Sequence, residues 1–170
     1  MRERYPGLLR RQWSGRVGAG RLPRWRVAPT LGRLVVDFVG DLYFADSSNH
    51  RVRRIDLAGT ITTVAGNGDP TYVGDGVPAI LASLSRPSDV DVDGSGNLYI
   101  ADTDNACIRR VDPDGVITTI AGTCGVRGYA GDGGMATAAL LDQPYGVALG
   151  EDTLYVADTL NHRIRVLGLE

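Results

Sequence analysis

One segment of the chain returns twice at a fixed interval, and nothing else in the sequence restricts the fold so tightly. Leu42-Tyr43-Phe44-Ala45-Asp46 recurs as Leu98-Tyr99-Ile100-Ala101-Asp102 and as Leu154-Tyr155-Val156-Ala157-Asp158, 56 residues apart in both steps. Downstream, Asn49-His50-Arg51-Val52-Arg53-Arg54 is matched by Asn105-Ala106-Cys107-Ile108-Arg109-Arg110 and by Asn161-His162-Arg163-Ile164-Arg165-Val166. Self-similarity at such a period marks a repeat architecture. In the second unit, four runs rich in β-branched and aromatic residues (88–92, 98–102, 107–112 and 116–121) are separated by turn clusters such as Asp93-Gly94-Ser95-Gly96-Asn97 and Pro113-Asp114-Gly115. Gly supplies positive φ, and Asp or Asn ties the turn through its side chain. Loops this short make neighbouring strands antiparallel, so each unit is a four-stranded meander.

The second strand dictates how the units assemble. Leu98 and Ile100 project to one side of the sheet and Tyr99 and Ala101 to the other. Both faces are apolar and both need cover. Sheets stacked radially, each covering the next, satisfy this, and a single barrel with a polar outer face does not. The expected fold is therefore an all-β propeller of about three four-stranded blades. These form an incomplete ring, because propellers usually have about four to eight blades.

The formal charge of −2 conceals two unlike parts. Residues 1–33 hold nine Arg against Glu3, a net +8, whereas residues 34–170 hold nine Arg against nineteen acidic residues, a net −10. Residues 1–33 also carry Trp13 and Trp25 with no structural period. They read either as non-native sequence or as a basic disordered tail. Residues 34–170 form the repeat segment, with blades at about 34–66, 88–122 and 145–170 and inserts at 67–87 and 123–144. No stretch reaches the ~20 apolar residues of a membrane span, and the basic start develops no apolar core of a signal peptide.

The pattern Leu-Tyr-x-Ala-Asp-x-x-Asn-His-Arg-x-Arg over residues 34–170 resembles the NHL repeat. Its signature stands as Asn49-His50-Arg51 and Asn161-His162-Arg163, reduced to Asn105-Ala106-Cys107 in the middle copy. The inserts Gly74-Asp75-Gly76 and Gly131-Asp132-Gly133 are similar to those of a bacterial subgroup. The resemblance implies a ring of six blades, of which this chain supplies about half, and an interaction platform that binds a protein, peptide or glycan, without a cofactor. It also implies an extracytoplasmic setting if the true N-terminus lies elsewhere. The alternative it implies is a fragment of a propeller hydrolase or lyase with its catalytic residues on other blades.

Individual residues are weighed against that background. His50 and His162 occupy equivalent positions of different blades and so are spread around the axis; a turn role is expected rather than a zinc site, which needs about three protein ligands. No catalytic residue emerges. Asp91, Asp93, Ser95 and Asn97 imitate a calcium loop, but Asp102 at its twelfth position is already explained as a strand end, so calcium is the minor expectation. Asp46, Asp102 and Asp158, with Asn49, Asn105 and Asn161, are expected to hold turns. One Arg of each pair, Arg53-Arg54 and Arg109-Arg110, should meet an acidic partner between blades.

Tyr72, Asp75, Arg127, Tyr129 and Asp132 on the inserts are the candidate binding residues. Segments 78–84 and 135–141 are expected as short helices sealing the sheet. Cys107 and Cys124 could pair in an oxidising compartment, but they read more simply as two small, partly buried thiols. Nucleic acid is disfavoured by the charge of −10. Taken alone, end blades with bare apolar faces should self-associate, for example by closing a ring from two copies.

Overall fold

The computed structural model describes residues 31–169. Expectations for residues 1–30 lie outside the described part. Twelve strands make three sheets, in the order that the repeat predicts. The first blade comprises β1 (Leu31–Val36), β2 (Leu42–Asp46), β3 (Arg51–Ile55) and β4 (Ile61–Ala65), hydrogen-bonded in that order. β1 thus takes in three residues grouped above with the basic leader. The second blade comprises β6 (Asp89–Val92), β7 (Leu98–Asp102), β8 (Cys107–Val111) and β9 (Val116–Ala121), and the third β10 (Pro144–Leu149), β11 (Thr153–Asp158) and β12 (Arg163–Gly168).

All pairings within a blade are antiparallel, and the repeat extends to local irregularities. Between β3 and β4 the register slips after Val52↔Ala65, and between β8 and β9 it slips after Ile108↔Ala121, so both blades bulge at the same place. The first strands lie side by side: β6 contacts β1 on one flank and β10 on the other. This is a radial sector of a propeller with β1, β6 and β10 innermost.

The core consists of two joints between blades rather than one central mass. In the first, Val52 and Ala65 of blade one meet Val90, Leu98, Ile100, Val111 and Ile117 of blade two. In the second, Tyr99, Ala101, Ile108 and Ala121 of blade two meet Leu141, Val147, Leu154 and Val156. β7 therefore buries Leu98 and Ile100 toward one neighbour and Tyr99 and Ala101 toward the other, as its doubly apolar pattern requires. Fully burying each large side chain stabilises the joint by roughly 1.5–3 kcal/mol.

The inserts correct one expectation. Residues 78–84 form no helix. Instead β5 (Val77–Pro78) pairs with β9 as a fifth strand on the outer edge of blade two. The chain then turns through Leu81, whose N–H donates to the Pro78 carbonyl, and buries Ala79, Ala82 and Leu84 in the first joint. In the second insert only Ala136–Ala138 is helical, as a single 3-10 turn. Proline and small residues leave too few consecutive helical hydrogen bonds to sustain a longer element.

Candidate functional site

Chain direction brings the candidate residues to one end of the molecule. The turns β2–β3, β7–β8 and β11–β12 lie at the end of the blades where each first strand begins, and both inserts leave and return there, the first running along β9 as far as the Gly115 carbonyl of the β8–β9 turn before it turns back. At this end a frame recurs in every blade. The Asp102 carboxylate is fully buried and accepts the Ser85 N–H at 2.7 Å and the Asn105 side-chain amide at 2.8 Å. Asp158 accepts the Asp142 N–H at 2.8 Å and the Asn161 amide at 2.9 Å, and Asp46 accepts the Asn49 amide at 2.9 Å. Asn105 and Asn161 each give a second bond to the preceding insert, to the Thr71 and Gly128 carbonyls. Burial outweighs these bonds and the nearby Arg109, pushing the Asp102 carboxyl up to about 6.

Arg109 is buried completely and ties this frame to the first insert. It pairs with Asp75 at 2.8 Å and Asp102 at 3.6 Å, donates to the Gly74 carbonyl, and lies 5.1 Å from the Tyr72 ring centroid. Arg165 repeats the arrangement with Asp132 at 2.7 Å, Asp158 at 3.3 Å and the Tyr129 ring at 5.3 Å. The Tyr129 hydroxyl donates to Asp132 at 2.6 Å. Two pairs of the candidate insert residues, Tyr72 with Asp75 and Tyr129 with Asp132, are thus clasps that fasten each insert to the third strand of the next blade. Their rings remain partly exposed. Arg127 reaches Asp104 at 3.4 Å and Asp142 at 4.0 Å. Of the Arg pairs, Arg54 bonds Asp41 at 2.7 Å through Nε, inside its own blade, while Arg109 joins residues from either side of the blade joint.

Cys107 and Cys124 form a disulfide, which corrects the reading as two thiols. The repeat supplies the reason. Cys107 corresponds to Arg51, and Cys124 to Gly68, each 56 residues earlier. In blade one the Arg51 guanidinium bridges the same gap by donating to the Asn67 carbonyl at 2.7 Å, and a side chain on Gly68 would strike it. Blade two makes this brace covalently.

His50 and His162 adopt left-handed φ of 54°, and Ala106 at the equivalent place has 56°. The position is set by the turn, which the middle blade makes without a histidine. His50 Nδ1 accepts the Arg86 N–H at 3.1 Å. In the calcium-like loop, Asp93 accepts the N–H groups of Ser95 and Asn97, the Asn97 side-chain amide and the Tyr99 hydroxyl, while Asp91 accepts the Leu149 N–H of the next blade at 3.0 Å. These carboxylates are engaged in the turn and the joint rather than converging on one point.

Near the axis at the insert-bearing end, a mouth of about 420 Å³ is lined by Arg33, Ser47, Arg86, Ser88, Thr103, Asp104 and Tyr145, with Gly32. Hydroxyls close its floor: Ser47 donates to the Pro87 carbonyl, while Ser88 and Thr103 share a hydrogen bond and lie 2.8 Å from the Tyr145 and Pro144 carbonyls, so one of the pair donates to its carbonyl and the other to its neighbour. Sequence alone does not find this site: Gly32, Ser88 and Tyr145 share one repeat position and Ser47 and Thr103 another, but Arg33 and Arg86 depart from the repeat and only the fold brings them together.

Radially stacked meanders with double-sided joints define a sector of a β-propeller. The model of the Teneurin NHL domain matches residues 67–128, from the first insert through the second blade. Cattle NHL repeat-containing protein 2 is 39% identical over 140 residues, covering 76% of this chain, and chicken Teneurin-1 is 34% identical over 145 residues, covering 74%. The chain spans only 19% and 5% of those two proteins. A solved structural-genomics protein of Bacteroides thetaiotaomicron superposes with a TM-score of 0.72 at 28% identity, over 81% of this chain and 34% of its own. The chain belongs to the NHL-repeat family of β-propellers. The match to an animal domain across the Gly-Asp-Gly insert removes the support for a specifically bacterial subgroup.

Proposed function

We propose that the chain is a non-catalytic binding scaffold that engages a protein, peptide or glycan through the insert-bearing end of its blades. The observation that carries this reading is the distribution of apolar side chains on the inserts. Each insert buries one stretch and turns another to solvent: Ile80, Leu81 and Val73 on the first, Val126, Tyr129 and Met135 on the second. Clasped at their bases, these loops present an apolar surface without the entropic cost of ordering it on binding. The polar repeat residues, meanwhile, are committed to joints between blades. The disulfide fits an oxidising compartment, in keeping with an extracytoplasmic setting.

The test compares Ile80→Asp/Leu81→Asp with Leu57→Asp, a likewise exposed apolar residue in the β3–β4 turn outside both inserts, against a partner isolated on the wild-type chain. Loss of affinity confined to the insert variant supports the reading. Equal loss, or none, overturns it.

The outer faces of the described sector carry a second proposal. Leu34 of blade one and Tyr155 and Ile164 of blade three are exposed, whereas their repeat equivalents Val90, Tyr99 and Ile108 are at most 3% exposed. These faces are the two halves of one joint. We infer that a further blade covers each, supplied in the isolated 170-residue polypeptide by a second copy. Light scattering should then return at least twice 18.1 kDa; a stable monomer of that mass would refute it.

A further inference from the structure

We propose that the axial mouth is a carboxylate-recognition site that takes an acidic side chain of a peptide segment, with Arg33 and Arg86 as its cationic walls. The proposal rests on the scaffold reading and assigns a chemistry to one place on the same end.

The arginines supply the first argument. Most are absorbed by the blades: Arg51 braces an insert, Arg54 holds Asp41, and Arg109 and Arg165 form the clasps. Arg33 differs. Among the described residues its one hydrogen bond is a long one, 3.4 Å, to the Val147 carbonyl. The carboxylate whose field it shares, Asp89, already accepts the N–H groups of Val90 and Val147. Arg86 has one loose ion pair, 3.8 Å to Asp104, and Asp104 is shared with Arg127 at 3.4 Å. The mouth thus collects guanidinium donors in excess of carboxylate acceptors, with Arg33 from the basic segment 1–33 and Arg86 from a segment, 34–170, whose overall charge is −10. Guanidinium groups recognise carboxylates through paired, charge-assisted hydrogen bonds.

Comparison between repeats supplies the second. Arg86 stands at φ +47° immediately before Pro87, and Gln143 stands at φ +46° before Pro144. The backbone shape therefore belongs to the joint, while the charge is particular to Arg86. The register equates Arg33 with Asp89 and Gly146, each preceding the residue paired with Phe44, Ile100 or Val156. Both cationic walls are departures from the repeat.

The remaining lining selects a peptide over a bare anion. Ser47 donates to the Pro87 carbonyl, and Ser88 and Thr103 share a hydrogen bond beside the Tyr145 and Pro144 carbonyls, so Ser88, the one of the three that is not buried, is placed to accept an amide N–H. Tyr145 leaves its ring 47% exposed at the rim as a stacking surface. A volume of about 420 Å³ suits a side chain with its flanking backbone.

The experiment uses the full chain, labelled with 15N, titrated with Ac-Gly-Glu-Gly-NH2, Ac-Gly-Gln-Gly-NH2 and sodium acetate. The glutamate peptide should give saturable shifts at Ser88, Thr103 and the side-chain Nε of Arg33 and Arg86. The glutamine peptide should bind at least tenfold more weakly, and acetate more weakly than the glutamate peptide. Arg33→Gln should weaken the glutamate peptide at least tenfold, and Arg33→Lys should restore part of the loss. Equal affinity for the two peptides, indifference to Arg33→Gln, or shifts mapping elsewhere would overturn the proposal. Acetate binding as tightly as the peptide would reduce the mouth to a simple anion site and overturn the peptide assignment. If the peptides fail while the Ile80→Asp/Leu81→Asp effect on the protein partner persists, this inference falls and the scaffold reading stands.

Discussion

Reducing the Cys107–Cys124 disulfide should cost the fold about as much as losing a sizeable part of one blade joint. The bridge spans 17 residues and encloses β9 and the start of the second insert. Closing a loop of that length restricts the unfolded chain by about 3 kcal/mol at 25 °C in the chain-entropy treatment. At roughly 2–4 °C per kcal/mol for a chain of this size, the melting midpoint should fall by about 6–12 °C. The effect should also be local. Gly125, beside Cys124, donates its N–H to the Asn105 carbonyl at 2.7 Å, and that amide should lose hydrogen-exchange protection on reduction. The matching part of the first insert, braced by Arg51, should not change. Arg51→Ala removes exposed hydrogen bonds to the Asn49 and Asn67 carbonyls and should cost only about 1 kcal/mol. The assay is thermal melting by circular dichroism with and without reductant, with alkylation and mass measurement confirming two free thiols. A fully reduced chain melting within about 2 °C of the oxidised one would refute the reasoning.

Three further outcomes follow from the same contacts. Arg109→Ala leaves the buried Asp102 without its cation and should cost about 3–5 kcal/mol in denaturant unfolding, more than Arg165→Ala, which also uncovers a buried carboxylate, Asp158, but removes a side chain that itself keeps some solvent contact. The Asp102 carboxyl should titrate near pH 6 by carbon-13 NMR, against about 3.9 in the unfolded chain. Because the folded value is the higher, its contribution to stability is complete below about pH 4 and is lost as pH rises through about 6; a midpoint below 4 would contradict this. Gly122→Ala, at φ +84° with a Cβ that would lie 2.6 Å from the Ala106 carbonyl oxygen, should cost more in urea unfolding than Gly115→Ala, at φ +81° facing open space. The latter carries only the left-handed backbone penalty of about 1 kcal/mol, and equal losses would contradict the close-contact argument.

The blades were legible because their signal is periodic twice over. Alternation marks each strand, and recurrence of Leu-Tyr-x-Ala-Asp aligns the strands between units. The doubly apolar faces of β7 also announced the stacking. The inserts were less legible for a physical reason: β5 is two residues long, and an edge pairing to β9 leaves no alternation to detect. The clasps were visible as residues but not as contacts. Tyr72-x-x-Asp75 and Tyr129-x-x-Asp132 recur 57 residues apart, and recurrence of that kind is a sign of a joint. The disulfide had a usable signal in the same register, since Cys107 and Cys124 stand where Arg51 and Gly68 stand one blade earlier. Knowing that Arg51 reaches across that gap requires the structure.

A repeated fold separates what builds the ring from what the ring does. Asp46, Asp102 and Asp158 make the same turn in every blade, and Arg109 and Arg165 make the same clasp, so their chemistry is explained by assembly alone. Residues at matched positions with unmatched side chains are not explained that way. Arg33 against Asp89 and Gly146, and Arg86 against Gln143, keep the backbone of the joint and change only the charge presented at the axis. The joint would form with either residue type, since Gln143 forms it without a charge. The guanidinium of Arg86 therefore serves no joint that Gln143 does not also make, and with Arg33 it stands open to solvent and loosely paired, placed to meet a negatively charged group.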